Sequence, residues 1–111
     1  MMHITFEGKI VIVTGAAHGF GRAIALAFAE RGAIVYGCDI LADELAETHS
    51  LCEAVGGVCH VATVDVRDRG AVFAFVDGIL ETHAQVDILV NNAGGVLGQV
   101  GRPLETISQD D

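Results

Sequence analysis

Residues 9–21, KIVIVTGAAHGFG, decide the fold. A short apolar run at residues 10–13 stops at Thr14, a glycine-punctuated loop follows, and an alanine-rich helical pattern comes next. A buried strand feeding a Gly-rich turn and then a helix N-terminus is how α/β proteins hold a phosphate. The first amides of a helix have no intrahelical partner, and the macrodipole adds partial positive charge beside them. Glycine lets an anion approach the backbone closely because no Cβ stands in the way.

Outward from this stretch, the chain alternates. Residues 9–14 form the first strand, apolar on both faces as a central parallel strand should be. Residues 21–31 read as a helix whose Ala23, Ala25, Ala27 and Ala29 suit close packing on a sheet, with Gly32 placed to end it in the left-handed conformation. Residues 34–39, IVYGCD, are a second strand, and residues 42–55 a second helix with Asp43, Glu44 and Glu47 near its positive end. Leu41, Leu45, Cys52 and Val55 are its expected buried stripe. Residues 58–64 are the third strand. Asp68 is the expected N-cap of a third helix in which Val72, Val76, Ile79, Leu80 and Phe73 face the core. Residues 86–90, VDILV, form the fourth strand and run into Asn91-Asn92-Ala93-Gly94, and the longest loop covers residues 94–107. Strict alternation of this kind means βαβ units, a parallel sheet and right-handed crossovers.

At 111 residues there is room for one domain. About half the residues are hydrophobic and the mean hydropathy is +0.50, more apolar surface than so short a chain can bury alone. Ser108-Gln109-Asp110-Asp111 reads as the first turn of a helix, a capping residue with an acid three places on. Together these features predict that residues 1–111 are the N-terminal part of a longer protein; the alternative for the last residues is a disordered acidic tail. The formal charge of −9 argues against nucleic acid and against an anionic membrane surface as partners. Cys38, Cys52 and Cys59 include no CxxC pair and are odd in number, which fits a reducing compartment, and the acid-containing start MMHITFEGK does not read as a signal peptide. No apolar run approaches the roughly eighteen residues of a membrane span. The expected location is the cytoplasm.

The loop itself reads Thr14-Gly15-Ala16-Ala17-His18-Gly19-Phe20-Gly21, or TGxxxGxG. It departs from the dinucleotide fingerprint GxGxxG, because Ile24 stands where a third glycine would fall. Context strengthens it: a strand before, a helix after, and Asp39 at the end of the second strand, about where an acid would hydrogen-bond an adenine ribose. Taken alone, that acid reads more readily as an exposed strand-end carboxylate.

Four separated stretches agree with one family. TGAAHGFG, Asp39 after the second strand, Asp65-Val66 after the third and NNAG after the fourth resemble the short-chain dehydrogenases/reductases, as do FEGKIVIVTG and RPLETISQDD at the two ends. The resemblance covers essentially the whole chain. It implies a doubly wound α/β fold of Rossmann type with strand order 3-2-1-4, and a nicotinamide dinucleotide across the carboxyl ends of the strands. By position it puts Gly15, Ala17, His18, Gly19, Phe20 and Gly21 around the pyrophosphate and adjacent ribose. Asp39 and Ile40 fall at the adenine ribose, Asp65 and Val66 at the adenine, and Asn91, Ala93 and Gly94 on the floor leading to the nicotinamide. A carboxylate at the ribose suits NAD, since a 2′-phosphate would meet a like charge worth about 4 kcal/mol at 4 Å and an effective dielectric near 20. The residue after Asp39 is Ile40, so no Lys or Arg follows to offset it. His18 reads either as a cation near the phosphates when protonated or as a loop side chain in solvent.

The same family transfers hydride with a Tyr-x-x-x-Lys pair, a Ser and an Asn on a later helix; a nearby ammonium favours the tyrosinate, so the phenol can exchange a proton with substrate oxygen. Here the one tyrosine, Tyr36, lies mid-strand and the one lysine, Lys9, precedes the first strand, so these catalytic residues are expected beyond Asp111. Residues 1–111 then form a partial dinucleotide-binding domain of an NAD-dependent oxidoreductase acting on an alcohol or ketone, inactive alone. The alternative is a non-catalytic dinucleotide-binding or interaction module. Either way, the apolar edge of VDILV invites self-association. His49 with Cys52, and Cys59-His60 on the next strand, hint at a metal. Adjacent strand residues point to opposite faces, though, so core cysteines and ordinary histidines are the preferred reading. His83 reads as a helix-dipole partner, and Arg67 and Arg69 as surface charges.

Overall fold

A computed structural model describes residues 4–92 of the chain. Its central strand, β1 (Ile10–Thr14), is buried along its first four residues because it is paired on both sides. β2 (Ile34–Asp39) and β3 (Val58–Thr63) extend the sheet on one side, β4 (Ile88–Asn91) on the other, giving the all-parallel order β3-β2-β1-β4. The connections are helices α1 (Gly19–Glu30), α2 (Ala42–Ala54) and α3 (Arg69–His83). This is the doubly wound arrangement that the alternation of the sequence and the family resemblance implied.

Period-two geometry divides the sheet's side chains between two cores. Val11, Val13 and Val35 face α1 and α2, packing with Ala25, Ala29, Leu45 and Cys52. Ile10, Ile12, Ile34 and Tyr36 face α3, packing with Ile79, Val76 and Phe75. The register Ile12↔Tyr36 and Ile12↔Leu89 keeps the strand ends level, so Thr14, Asp39 and Asn91 finish along one edge of the molecule.

Several expectations are corrected by the structure. α1 begins at Gly19 rather than at residue 21, so the last two positions of the glycine loop are already its first turn. Of its four alanines only Ala25 and Ala29 are buried, in line with Gly21. Ala23 and Ala27 point to solvent because alternate residues of a helix lie on opposite sides. The contact is close: a Cβ on Gly57 would stand 2.6 Å from that of Ala29. The buried stripe of α2 is Leu45, Thr48 and Cys52. Leu41 and Val55, at 38% and 44% exposure, flank the helix rather than face the sheet. In α3 only Ile79 is buried, while Phe73 and Leu80 are exposed. The expected cap is in place, Asp68 Oδ1 accepting from the Ala71 amide at 3.1 Å, and Gly32 has the left-handed φ of 93°. β4 starts at Ile88 rather than 86, because Asp87 takes the position before it, its carboxylate accepting from the Ile10 amide at 2.8 Å. No helix among the described residues is long and apolar enough to cross a membrane.

Candidate functional site

The glycine loop leaves β1 at Thr14 and turns at Gly15, whose φ of 69° is in the left-handed region. It comes back against β2, where the Ala16 amide donates to the Cys38 carbonyl at 3.1 Å. Gly37 makes this approach possible, since a Cβ there would stand 2.9 Å from that of Ala16. Gly21 serves the same purpose at the start of α1: a Cβ on it would collide with the Gly15 carbonyl. That carbonyl also accepts from the Asn92 side-chain amide at 3.3 Å. Thr14 Oγ1 meets Asn91 Oδ1 at 3.0 Å, so the ends of β1 and β4 are laced together beneath the loop.

Ala16 and Ala17 are fully buried, whereas His18, Gly19 and Phe20 are exposed, Phe20 at 82%. His18 is the N-cap of α1 but places no side-chain acceptor on the first helical amides, and no acid stands in the first turn. The amides at the start of α1 therefore remain available to an anion approaching over the loop. The imidazole of His18 turns instead toward Glu44 of α2, Nδ1 to Oε1 3.4 Å.

Asp39 is brought directly to this loop. Its Oδ2 accepts from the Ala17 amide at 3.0 Å, and its Oδ1 accepts from the amides of Ile40 and Leu41 at 2.7 and 3.2 Å. A carboxylate has about four lone-pair positions, so roughly one, on Oδ2, is left for a hydroxyl. A second hydroxyl would take Oδ1 in exchange for an amide. The neighbouring thiol of Cys38 is buried: burial, then the Asp39 charge, push it up to about 11. Ile40 is exposed beyond the carboxylate, at 57%.

Asp65 and Val66 follow β3 and sit next in line, joined to the site where the Val64 amide donates to the Asp39 carbonyl at 3.0 Å. The Asp65 carboxylate is engaged by Arg67, whose Nε and terminal nitrogen donate at 3.0 and 2.9 Å, and this pairing holds Asp65 below the usual carboxylate range. Arg67 is thus the partner of a candidate site residue, not simply a surface charge. Of the residues singled out in the sequence, Gly15, Ala17, His18, Gly19, Phe20, Gly21, Asp39 and Ile40 form one continuous corner. Asp65, Val66 and Asn91 lie at the neighbouring strand ends. Ala93 and Gly94 lie outside the described residues, as do the loop at 94–107 and Ser108-Gln109-Asp110-Asp111. Sequence reading did not single out Asn92 and Thr48, which bind the loop from behind, or Arg22, which donates to Thr48.

The other constellations resolve into structure. Among the described residues no group of three His, Cys, Asp or Glu could hold a metal ion. His49 Nδ1 meets the Cys59 carbonyl oxygen at 2.6 Å. Cys52 and Cys59 are both buried as free thiols, and the pairing of the two raises Cys59 while it lowers Cys52. Tyr36 meets His83 Nε2 through its hydroxyl at 2.7 Å and stacks on His60 on the α3 side of the sheet. His83 is accordingly a side-chain partner as well as a last-turn base.

A family model described as short chain dehydrogenase matches residues 9–111. The chain is 43% identical over 101 residues to the probable oxidoreductase EphD of Mycobacterium tuberculosis, a match over 91% of this chain and 17% of that protein. A solved metagenomic short-chain oxidoreductase in complex with NADP superposes with a TM-score of 0.77 at 36% identity, over 90% of this chain and 44% of the other. A short-chain dehydrogenase/reductase from Burkholderia phymatum in complex with NAD gives 0.71 at 33%, over 78% and 31%. The chain therefore spans less than half the length of each of these relatives.

Proposed function

The chain belongs to the short-chain dehydrogenase family, whose oxidoreductases bind a nicotinamide dinucleotide, and from that premise we propose that it carries the NAD-binding part of an alcohol or ketone oxidoreductase. The observation that carries the choice of NAD is Asp39. Among the described residues its hydrogen-bond partners are three backbone amides and no cation. The nearby guanidiniums are engaged by other groups, Arg22 by Glu47 and Arg67 by Asp65. A ribose hydroxyl can donate to Oδ2 as it stands, whereas a 2′-phosphate brought to about 4 Å would be repelled by roughly 4 kcal/mol at an effective dielectric near 20.

In this reading the pyrophosphate lies over residues 15–21, against the uncapped amides of α1. Asp65 and Val66 border the adenine, and Asn91, with Ala93 and Gly94, leads toward the nicotinamide. The bound dinucleotide supplies hydride chemistry; the residues described here bind and orient it. Proton exchange with substrate is assigned to groups other than Tyr36, whose hydroxyl is taken by His83 on the α3 side. The 111-residue chain should therefore bind without turnover. Calorimetric titration tests the cofactor assignment: NAD+ should bind more tightly than NADP+ by at least about a hundredfold, and equal affinities would overturn it.

A further inference from the structure

Thr48, in the middle of α2, is the buried polar side chain of the core among the described residues, at 0% exposure. A helical threonine ordinarily turns its hydroxyl back to the carbonyl four residues before it. Here that contact, to Glu44, is the longest of three at 3.3 Å. The hydroxyl reaches out of its helix instead, to the Ala16 carbonyl at 2.8 Å and the Ala17 carbonyl at 3.2 Å. One hydroxyl proton serves one acceptor at a time, and its oxygen still accepts. Arg22 Nε fills that position at 2.9 Å, and the guanidinium is itself held by the Glu44 carbonyl at 2.8 Å and the Glu47 carboxylate at 2.9 Å.

A trans peptide is planar, so its C=O and N–H point in opposite directions. Drawing the Ala16 carbonyl toward α2 therefore turns the Ala17 N–H the other way, and there it donates to Asp39 Oδ2 at 3.0 Å. We propose that Thr48, steadied by Arg22, is a positioning residue for the adenosine end of the dinucleotide site, holding the 16–17 peptide so that the Asp39 carboxylate is presented to the ribose. This rests on the assignment of Asp39 to the ribose made above. Neither Thr48 nor Arg22 need touch the ligand.

The consequence is a change in selectivity, which loss of stability alone would not produce. Without the hydroxyl, Asp39 loses the amide that aims it; NAD loses an oriented acceptor, while a 2′-phosphate meets a less fixed repulsion. Calorimetric titration of the full chain with NAD+ and with NADP+, below the melting temperature of every variant, measures this. Thr48→Val should weaken NAD+ by about tenfold and NADP+ by less than about threefold, as expected for a lost charge-assisted hydrogen bond. Thr48→Ser should restore both the affinity and the preference. Arg22→Gln, which removes no apolar core side chain, should narrow the preference by about threefold, and it decides the matter should Thr48→Val fail to fold. Equal weakening of the two nucleotides, no effect, or failure of the serine variant to rescue would overturn the proposal. A wild-type chain that binds NADP+ as well as NAD+ would instead remove the Asp39 assignment, and this proposal with it.

Discussion

A side chain at position 21 has nowhere to go, because its Cβ would occupy the space of the Gly15 carbonyl, which is already held from the other side by Asn92. The obstacle is backbone on one side and the first turn of α1 on the other, so relief requires moving the loop itself. Gly21→Ala should cost about 3 kcal/mol of stability, the upper part of the usual range for overpacking. It should also abolish NAD binding by displacing the 15–21 loop. Urea unfolding and nucleotide titration check the two effects, and a variant of unchanged midpoint would show that the loop relaxes freely. Gly19 is a different case. Its φ of 59° is left-handed but nothing lies within 4 Å of a Cβ there, so substitution at 19 is opposed by backbone conformation rather than by contact.

Among secondary elements, β4 is one of the two edge strands of the sheet. Among the described residues it is paired with β1 alone, it is four residues long, and Leu89 on it is 59% exposed. An edge strand that carries an exposed leucine invites pairing with another copy. Leu89→Lys should therefore shift the 111-residue chain toward monomer in sedimentation velocity; the same distribution for variant and wild type would remove β4 as the contact. The elements themselves were legible in the sequence because runs such as IVIV and the glycines and acids that bound them act locally. Asp68 and Gly32 do what their chemistry suggests wherever they occur. Helix faces were less legible. Ala23 and Ala27 are chemically identical to Ala25 and Ala29, and only the direction from which the sheet approaches separates them. Thr48 looks like an ordinary surface residue of a helix until the loop is laid across it. Asn92, Arg22 and the Arg67–Asp65 pair acquire their partners only through tertiary contact or a turn closed after the strand, so no spacing rule announces them.

For the molecule as a whole, the buried Cys38 thiol makes stability depend on pH on the alkaline side. Cys38 is buried beside the Asp39 charge, which raises its pKa from 9.0 to about 11. The folded protein therefore keeps a proton that the unfolded chain releases. Stability from this group is complete below about pH 9 and is lost as pH rises toward 11, amounting to roughly 3 kcal/mol at most. Denaturant melts between those limits should show the decline, and a Cys38→Ala chain should show a smaller one; identical slopes would mean that the thiolate is tolerated in the fold. The division of the sheet into two cores has an optical corollary. With no tryptophan and a single tyrosine in the chain, ultraviolet emission originates at Tyr36, clasped by His83 and His60 beneath α3. Light therefore reports the integrity of that layer, while events over the glycine loop take place across the sheet from the fluorophore.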